Sequence, residues 1–194
     1  MQDILIVIDM QKDFIDGSLG TKEAESIVDD VRAKVEEYKE AGKPIFFTRD
    51  THRENYLETS EGLKLPIKHC IEGTEGHKVD PRVYKPEEYS DPSIYMFSGN
   101  KHQFGVLNWY PYFERIAKIV PGFDHKNLKG IEVCGLCTDI CVITNALILK
   151  TAFPEAEIEV NAKLCAGSTP EKHEEALSIM ESCQINVVKE KEEK

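Results

Sequence analysis

The sequence predicts an α/β fold built on a mainly parallel sheet. Short apolar runs alternate with amphipathic stretches along the chain, the pattern of repeated βαβ units. The first run, Ile4-Leu5-Ile6-Val7-Ile8, is uninterrupted, as expected of a strand covered on both faces. Neither an internal repeat nor a linker divides the 194 residues. They read as one domain, 1–194, long enough to bury a full core.

The elements follow in order. Residues 3–9 form a buried first strand. Residues 22–41 form a helix with Thr21 as its cap, Ile27, Val31, Val35 and Tyr38 on one face, and Gly42 just past its end. The next strand is 44–48. Residues 50–92 are polar, carry Gly62, Gly73 and Gly76 and show no period; a long irregular segment inside a compact domain is usually functional. Strand 93–97, helix 106–119, strand 130–135, helix 139–151 and strand 156–160 come next. Ser168-Thr169-Pro170-Glu171 opens a further helix. Strand 185–188 completes the sheet, and 189–194 is a charged tail.

Composition narrows the function classes. A hydrophobic fraction of 41% and a charged fraction of 30% are those of an ordinary globule. The formal net charge of −11 argues against nucleic acid or an anionic membrane as partner, since both would repel the chain. The first apolar run is too short for a membrane span and has neither a basic leader nor a cleavage site, so a cytoplasmic location is expected. In that setting the six cysteines (70, 134, 137, 141, 165 and 183) are core thiols or a nucleophile rather than a disulfide framework. Cys134 and Cys137 form a C-x-x-C, but no second pair and no histidine just beyond it complete a zinc site.

Three sets of residues have the makings of chemistry. Asp9 ends the first strand, where ligands bind in open parallel sheets; by position alone it serves equally as an acid or as the cap of a turn. Cys141 falls in the first turn of the helix after strand 130–135, with Thr138 as the expected N-cap. The positive end of a helix favours a thiolate, and its N–H groups can stabilise an oxyanion, although a small core residue suits the same place. Asp50, His52 and the more distant His69 have the donor types of a divalent transition-metal site, with Glu58 and Glu61 as candidate additional ligands. His77, His102, His125 and His173 read as surface residues. No G-x-G-x-x-G follows the first strand, which sets a dinucleotide site aside.

Taken together, these residues resemble the isochorismatase-like cysteine hydrolases and, among them, the nicotinamidase branch. Ile8-Asp9-Met10-Gln11-Lys12-Asp13-Phe14 is similar to the family's N-terminal motif, whose first acid is catalytic. Thr48-Arg49-Asp50-Thr51-His52 resembles its metal-binding Asp-x-His, and Pro66-Ile67-Lys68-His69-Cys70 supplies the second histidine. Lys101-His102-Gln103-Phe104-Gly105 resembles the catalytic lysine segment, although Phe97-Ser98-Gly99-Asn100 can be aligned so that Ser98 takes the lysine's place. Val133-Cys134-Gly135-Leu136-Cys137-Thr138-Asp139-Ile140-Cys141-Val142 is the most specific match, and Ala166-Gly167-Ser168-Thr169-Pro170 with His173 also fits. One departure stands out: Leu65-Pro66-Ile67 occupies the place where nicotinamidases usually carry an aromatic before the metal histidine.

The resemblance implies a three-layer α/β/α fold with a six-stranded, mainly parallel sheet, assembled as a homodimer or larger. It implies catalysis by Asp9, Lys101 and Cys141, and an oxyanion hole from the backbone N–H groups of Cys137 and Cys141 beside a cis Leu136–Cys137 peptide. It further implies Phe14 at the substrate and one divalent ion, zinc before manganese or iron, on Asp50, His52, His69 and Glu61. The expected reaction is hydrolysis of a small amide, nicotinamide first, through a thioester. Other small amides or carbamoyl compounds, and a catalytically silent binding protein on this fold, are the alternatives.

Overall fold

The computed structural model describes residues 2–84, 91 and 94–189. Six parallel strands form one sheet in the order β3-β2-β1-β4-β5-β6, flanked by helices. They are β1 (Ile4–Ile8), β2 (Ile45–Asp50), β3 (Met96–Lys101), β4 (Gly130–Leu136), β5 (Glu157–Ala166) and β6 (Asn186–Val188). The helices are α1 (Lys12–Ile15), α2 (Lys22–Ser26), α3 (Val28–Glu40), α4 (Tyr110–Ile119), α5 (Ile143–Ala152) and α6 (Pro170–Ser182). A π-helical turn, Thr138–Val142, precedes α5, and a short 3₁₀ turn spans Tyr56–Glu58. All five residues of β1 are fully buried, and each such side chain contributes about 1.5–3 kcal/mol. Among the described residues no helix is long and apolar enough to cross a membrane.

The chain starts at the centre of the sheet, adds β2 and β3 on one side and then returns to add β4, β5 and β6 on the other. The strand order therefore reverses between β1 and β4, and the crevice at their carboxyl ends is where such sheets bind ligands.

Several boundaries differ from the sequence reading. The helix expected over 22–41 is broken at Ile27, where the Ser26 hydroxyl donates to Glu23 O, giving α2 and α3. Thr21 caps α2 by accepting from the Ala24 N–H, and Gly42 takes the left-handed φ of +63° after α3. The strand expected at 93–97 begins at Met96 and runs on to Lys101; ahead of it Ile94 N–H donates to Asp91 O, and Ser93 lies outside the described residues. The helix expected from 106 starts at Tyr110, with Pro111 in its first turn. β5 extends past 160 to Ala166 through a bulge opposite Val133 and Gly135. All but the first residue of the charged tail lies outside the described residues.

Candidate active site and metal centre

Asp9 is the first residue beyond β1 and has a left-handed φ of 46°, uncommon outside glycine, which turns the chain abruptly off the sheet. On β4, Gly135 has a φ of 116°, and a Cβ there would stand 2.1 Å from Ile8 O, so only glycine lets the two strand ends approach so closely. The Leu136–Cys137 peptide is cis. Just beyond it, Cys137 O accepts from the N–H groups of both Ile140 and Val142. The five-residue reach of the second bond makes the π-helical turn that carries Cys141. Asn145, one turn later, donates to Cys141 O (2.8 Å) and accepts from Val106 N–H (2.9 Å), tying this turn to the loop after β3.

Lys101, at the end of β3, brings the set together. Its Nζ lies 2.7 Å from Asp9 Oδ2, 3.2 Å from Asp50 Oδ1 and 3.4 Å from Cys141 Sγ. Asp9, Lys101 and Cys141 are 0%, 2% and 6% exposed. Ser98 pairs with Phe47, whereas Lys101 pairs with Asp50; the alternation of strand side chains puts Ser98 on the opposite face of the sheet. Thr48 Oγ1 accepts from Asp9 N–H (3.1 Å) and donates to Asp9 Oδ1 (2.7 Å). Asp9 Oδ2 has no aligned hydrogen bond, despite its closeness to the ammonium.

Burial raises the Asp9 pKa, against the pull of Lys101. Burial also pushes the Cys141 thiol well up; Asp9 adds to this and Lys101 opposes it. Burial works against the charge on Lys101, but Asp9, Cys141 and Asp50 together hold its ammonium well above the usual lysine range. These shifts favour the ammonium on Lys101 and the thiol on Cys141. Cys137 is a thiol too, its pKa pushed by burial to about 12.

Asp50 faces two ways. Its Oδ1 meets Lys101, while Oδ2 lies 2.8 Å from His52 Nε2 and 3.6 Å from His69 Nε2. One ligand atom each from Asp50, His52 and His69 lies within 4.8 Å of the others, and all three residues are buried. His69 Nδ1 is 2.9 Å from Ile67 O and so carries the proton, which leaves the Nε2 lone pair for the cluster. His52 Nε2 is buried with no hydrogen bond of proper geometry. Two imidazole nitrogens and a carboxylate converging on one point, one of them otherwise unsatisfied, fit a divalent transition metal. Burial would raise the Asp50 pKa, but the histidines and Lys101 outweigh it and hold the carboxyl below its usual range. His69 is raised, because Asp50 and the Ile67 carbonyl outweigh burial.

Glu61 Oε1 stands farther out, 3.7 Å from His52 Nε2 and 3.9 Å from His69 Nε2, and Glu58 is exposed. Tyr56 is fully buried with its ring against both histidines (centroids 4.6 and 4.9 Å apart), and Phe14 lies 5.5 Å from His69.

Two expectations need correction. The N-cap position falls on Cys137 rather than Thr138, whose hydroxyl is instead 2.8 Å from His173 Nδ1, so His173 is half-buried against the turn rather than a surface residue. His77 is also buried, its Nε2 2.8 Å from Thr51 Oγ1. The sequence reading passed over Gln11, Thr48, Tyr56 and Asn145 as contributors to the site. Gln11, Thr48 and Asn145 had one available signal: a polar side chain inside or beside an otherwise apolar element, where burial demands a specific partner.

Comparison with known proteins gives a consistent placement. The crystal structure of a pyrazinamidase of Pyrococcus horikoshii in complex with zinc is 30% identical, with a TM-score of 0.73 over 98% of this chain and 100% of that one. A nicotinamidase/pyrazinamidase from Bacillus subtilis is 25% identical, with a TM-score of 0.79 over 97% and 100%. An N-carbamoylsarcosine amidase from Thermoplasma acidophilum shares the fold at 21% identity, with a TM-score of 0.72 over 99% of each chain. Comparison with curated protein sequences gave no match. The Isochorismatase domain matches residues 3–192, which takes in every element from β1 to β6 and all the residues gathered around Lys101; the chain belongs to the isochorismatase family of hydrolases.

Proposed function

We propose that the chain is a cysteine amidohydrolase whose substrate is nicotinamide, converted to nicotinate and ammonia. The observation that carries the reading is the placement of one buried ammonium, Lys101, within reach of Asp9, Cys141 and Asp50, with the other oxygen of Asp50 turned to two histidines. The zinc-bound pyrazinamidase at 30% identity supports it.

In the first half-reaction Asp9 Oδ2, which has no aligned hydrogen bond, takes the thiol proton as Cys141 Sγ attacks the amide carbon. Lys101 holds both anionic partners in place. The oxyanion of the tetrahedral adduct meets the backbone N–H groups of Cys137 and Cys141. Collapse breaks the C–N bond; the leaving nitrogen takes the proton from Asp9 and departs as ammonia, leaving a thioester on Cys141. In the second half Asp9 takes a proton from water, whose oxygen attacks the thioester carbon. The acid leaves and Cys141 regains the proton. Phe14 packs on the substrate ring. Asp50, His52 and His69, with Glu61 alongside, would hold a divalent ion (zinc before manganese or iron), which would supply Lewis-acid binding for a ring nitrogen of the substrate.

A second reading, the same centre acting on a non-aromatic amide or a carbamoyl compound, is favoured by Leu65-Pro66-Ile67 in place of an aromatic before His69. Ammonia release from equal concentrations of nicotinamide, benzamide and a carbamoyl amino acid separates the two. Turnover of the carbamoyl compound at more than ten times the nicotinamide rate sinks the first reading.

A further inference from the structure

β1 and β2 pair in register up to Val7 and Phe47. There Asp9 turns the chain away, so that β2 continues to Asp50 without a strand beside it on that edge. In a strand the N–H and C=O of one residue point to the same side. Those of Thr51 lie on the β3 side, where Thr51 N–H donates to Lys101 O. Those of Asp50 consequently face the gap left by β1.

The side chain of Gln11 fills that gap. Its Oε1 accepts from Asp50 N–H (2.7 Å) and its Nε2 donates to Asp50 O (2.9 Å), a two-point pairing that continues the ladder with a side-chain amide. The second Nε2 hydrogen goes to His77 O (2.8 Å). Gln11 is fully buried, and both N–H groups and the oxygen of its amide are bonded, all three to fixed backbone. It is itself anchored two residues after Asp9, where Gln11 N–H donates to Asp9 O (2.7 Å).

We propose that Gln11 is a positioning residue that sets the metal affinity of the Asp50, His52 and His69 cluster, by fixing the backbone of the carboxylate shared between that cluster and Lys101. The inference rests on the metal-site reading. Partners that orient metal ligands typically change affinity by about 10–100-fold when removed. Neither close relative of glutamine can replace it here. Methionine has nearly its shape but can bond none of the three backbone groups, and glutamate keeps the acceptor for Asp50 N–H but turns a carboxylate oxygen on two carbonyls.

The test is zinc affinity of the full chain, measured by competition with a chromophoric chelator, beside a urea midpoint for each variant. Gln11→Met is expected to bind zinc at least about 10-fold more weakly. Tyr38→Phe, which removes a hydrogen bond to buried Glu132 (2.8 Å), serves as the control. It should lower the urea midpoint yet leave zinc affinity within about threefold, so that general destabilisation is separated from positioning. If Gln11→Met does not fold, Gln11→Glu is read in its place, with the same loss expected. Zinc bound by the folded Gln11 variant within about threefold of the parent overturns the role of Gln11. A parent chain that binds no zinc overturns the metal-site reading itself.

Discussion

An ammonium buried against two carboxylates and a thiol stays charged, and Lys101 has little other freedom at 2% exposure. Two substitutions follow from its geometry. Cys141→Ala removes the proposed nucleophile from a site that tolerates alanine, so turnover should fall below a few per cent while the urea midpoint stays near that of the parent; higher residual activity places the nucleophile elsewhere. Lys101→Met leaves Asp9 and Asp50 to repel a thiolate with no cation to offset them. The Cys141 pKa then rises further, and the pH midpoint for iodoacetamide alkylation should move upward with it. An unmoved profile would show that the ammonium does not govern the thiol. The same buried contacts explain what a linear reading recovers at this scale. Asp9, Lys101 and Cys141 sit in recognisable local motifs. The roles of Thr48 and Asn145 are not legible locally, because they come from partners 39 residues away along the chain, Asp9 and Val106.

Among the elements, β1 and β4 approach too closely at Gly135 to admit a side chain. Gly135→Ala adds a methyl 2.1 Å from Ile8 O at a φ that L residues avoid. A loss of about 3 kcal/mol or more is expected, read as a lowered urea midpoint. Beyond β2, residues 72–84 fold back across α1, where Lys12 N–H donates to Lys78 O and Asp13 N–H to Gly76 O; within this segment Asp80 accepts from Arg82 Nε (3.0 Å), from an Arg82 terminal nitrogen (2.8 Å) and from the Arg82 N–H (2.8 Å). These bonds outweigh burial and hold the Asp80 carboxyl below its usual value. A carboxyl whose folded pKa is depressed stabilises the fold above its unfolded pKa, and that stability is lost as pH falls through the folded one. Asp80→Asn should therefore cost about 1 kcal/mol at pH 7 and progressively less below about pH 4. A penalty independent of pH would assign it to shape alone. Periodicity located all six strands, yet it joined α2 to α3, because the break falls on Ile27, the first residue of the apolar face that Val31, Val35 and Tyr38 continue, and so leaves no signal in the pattern. It also missed the end of β3, where Ser98, Gly99, Asn100 and Lys101 carry no apolar signal and are held by pairing with β2.

For the molecule as a whole, the reversal of strand order between β1 and β4 gathers residues from distant parts of the chain at one crevice. The parallel sheet was legible in its buried runs, and the candidate metal donors in their residue types. The joint role of Asp50 was not, because it exists only once β3 lies beside β2 and brings Lys101 to one carboxylate oxygen while the 51–69 loop brings the histidines to the other. Removing the ion should accordingly act through the substrate. Chelator-treated protein is expected to show a KM for nicotinamide raised by about 10-fold or more, restored by zinc, with benzamide far less affected; His52→Ala should behave likewise. Equal losses on both amides would deny the ring nitrogen any special role. The burial of the centre has one more consequence. Asp9, Asp50, Lys101 and Cys141 form one buried set of ionisable groups. In the proposed mechanism the thiol proton passes from Cys141 to Asp9, so one anion would disappear as another appears and the total charge of the set would be unchanged. On that mechanism the nucleophile would form by moving an electrical dipole inside the protein, a step that salt in the surrounding solution screens much less than it screens surface charges.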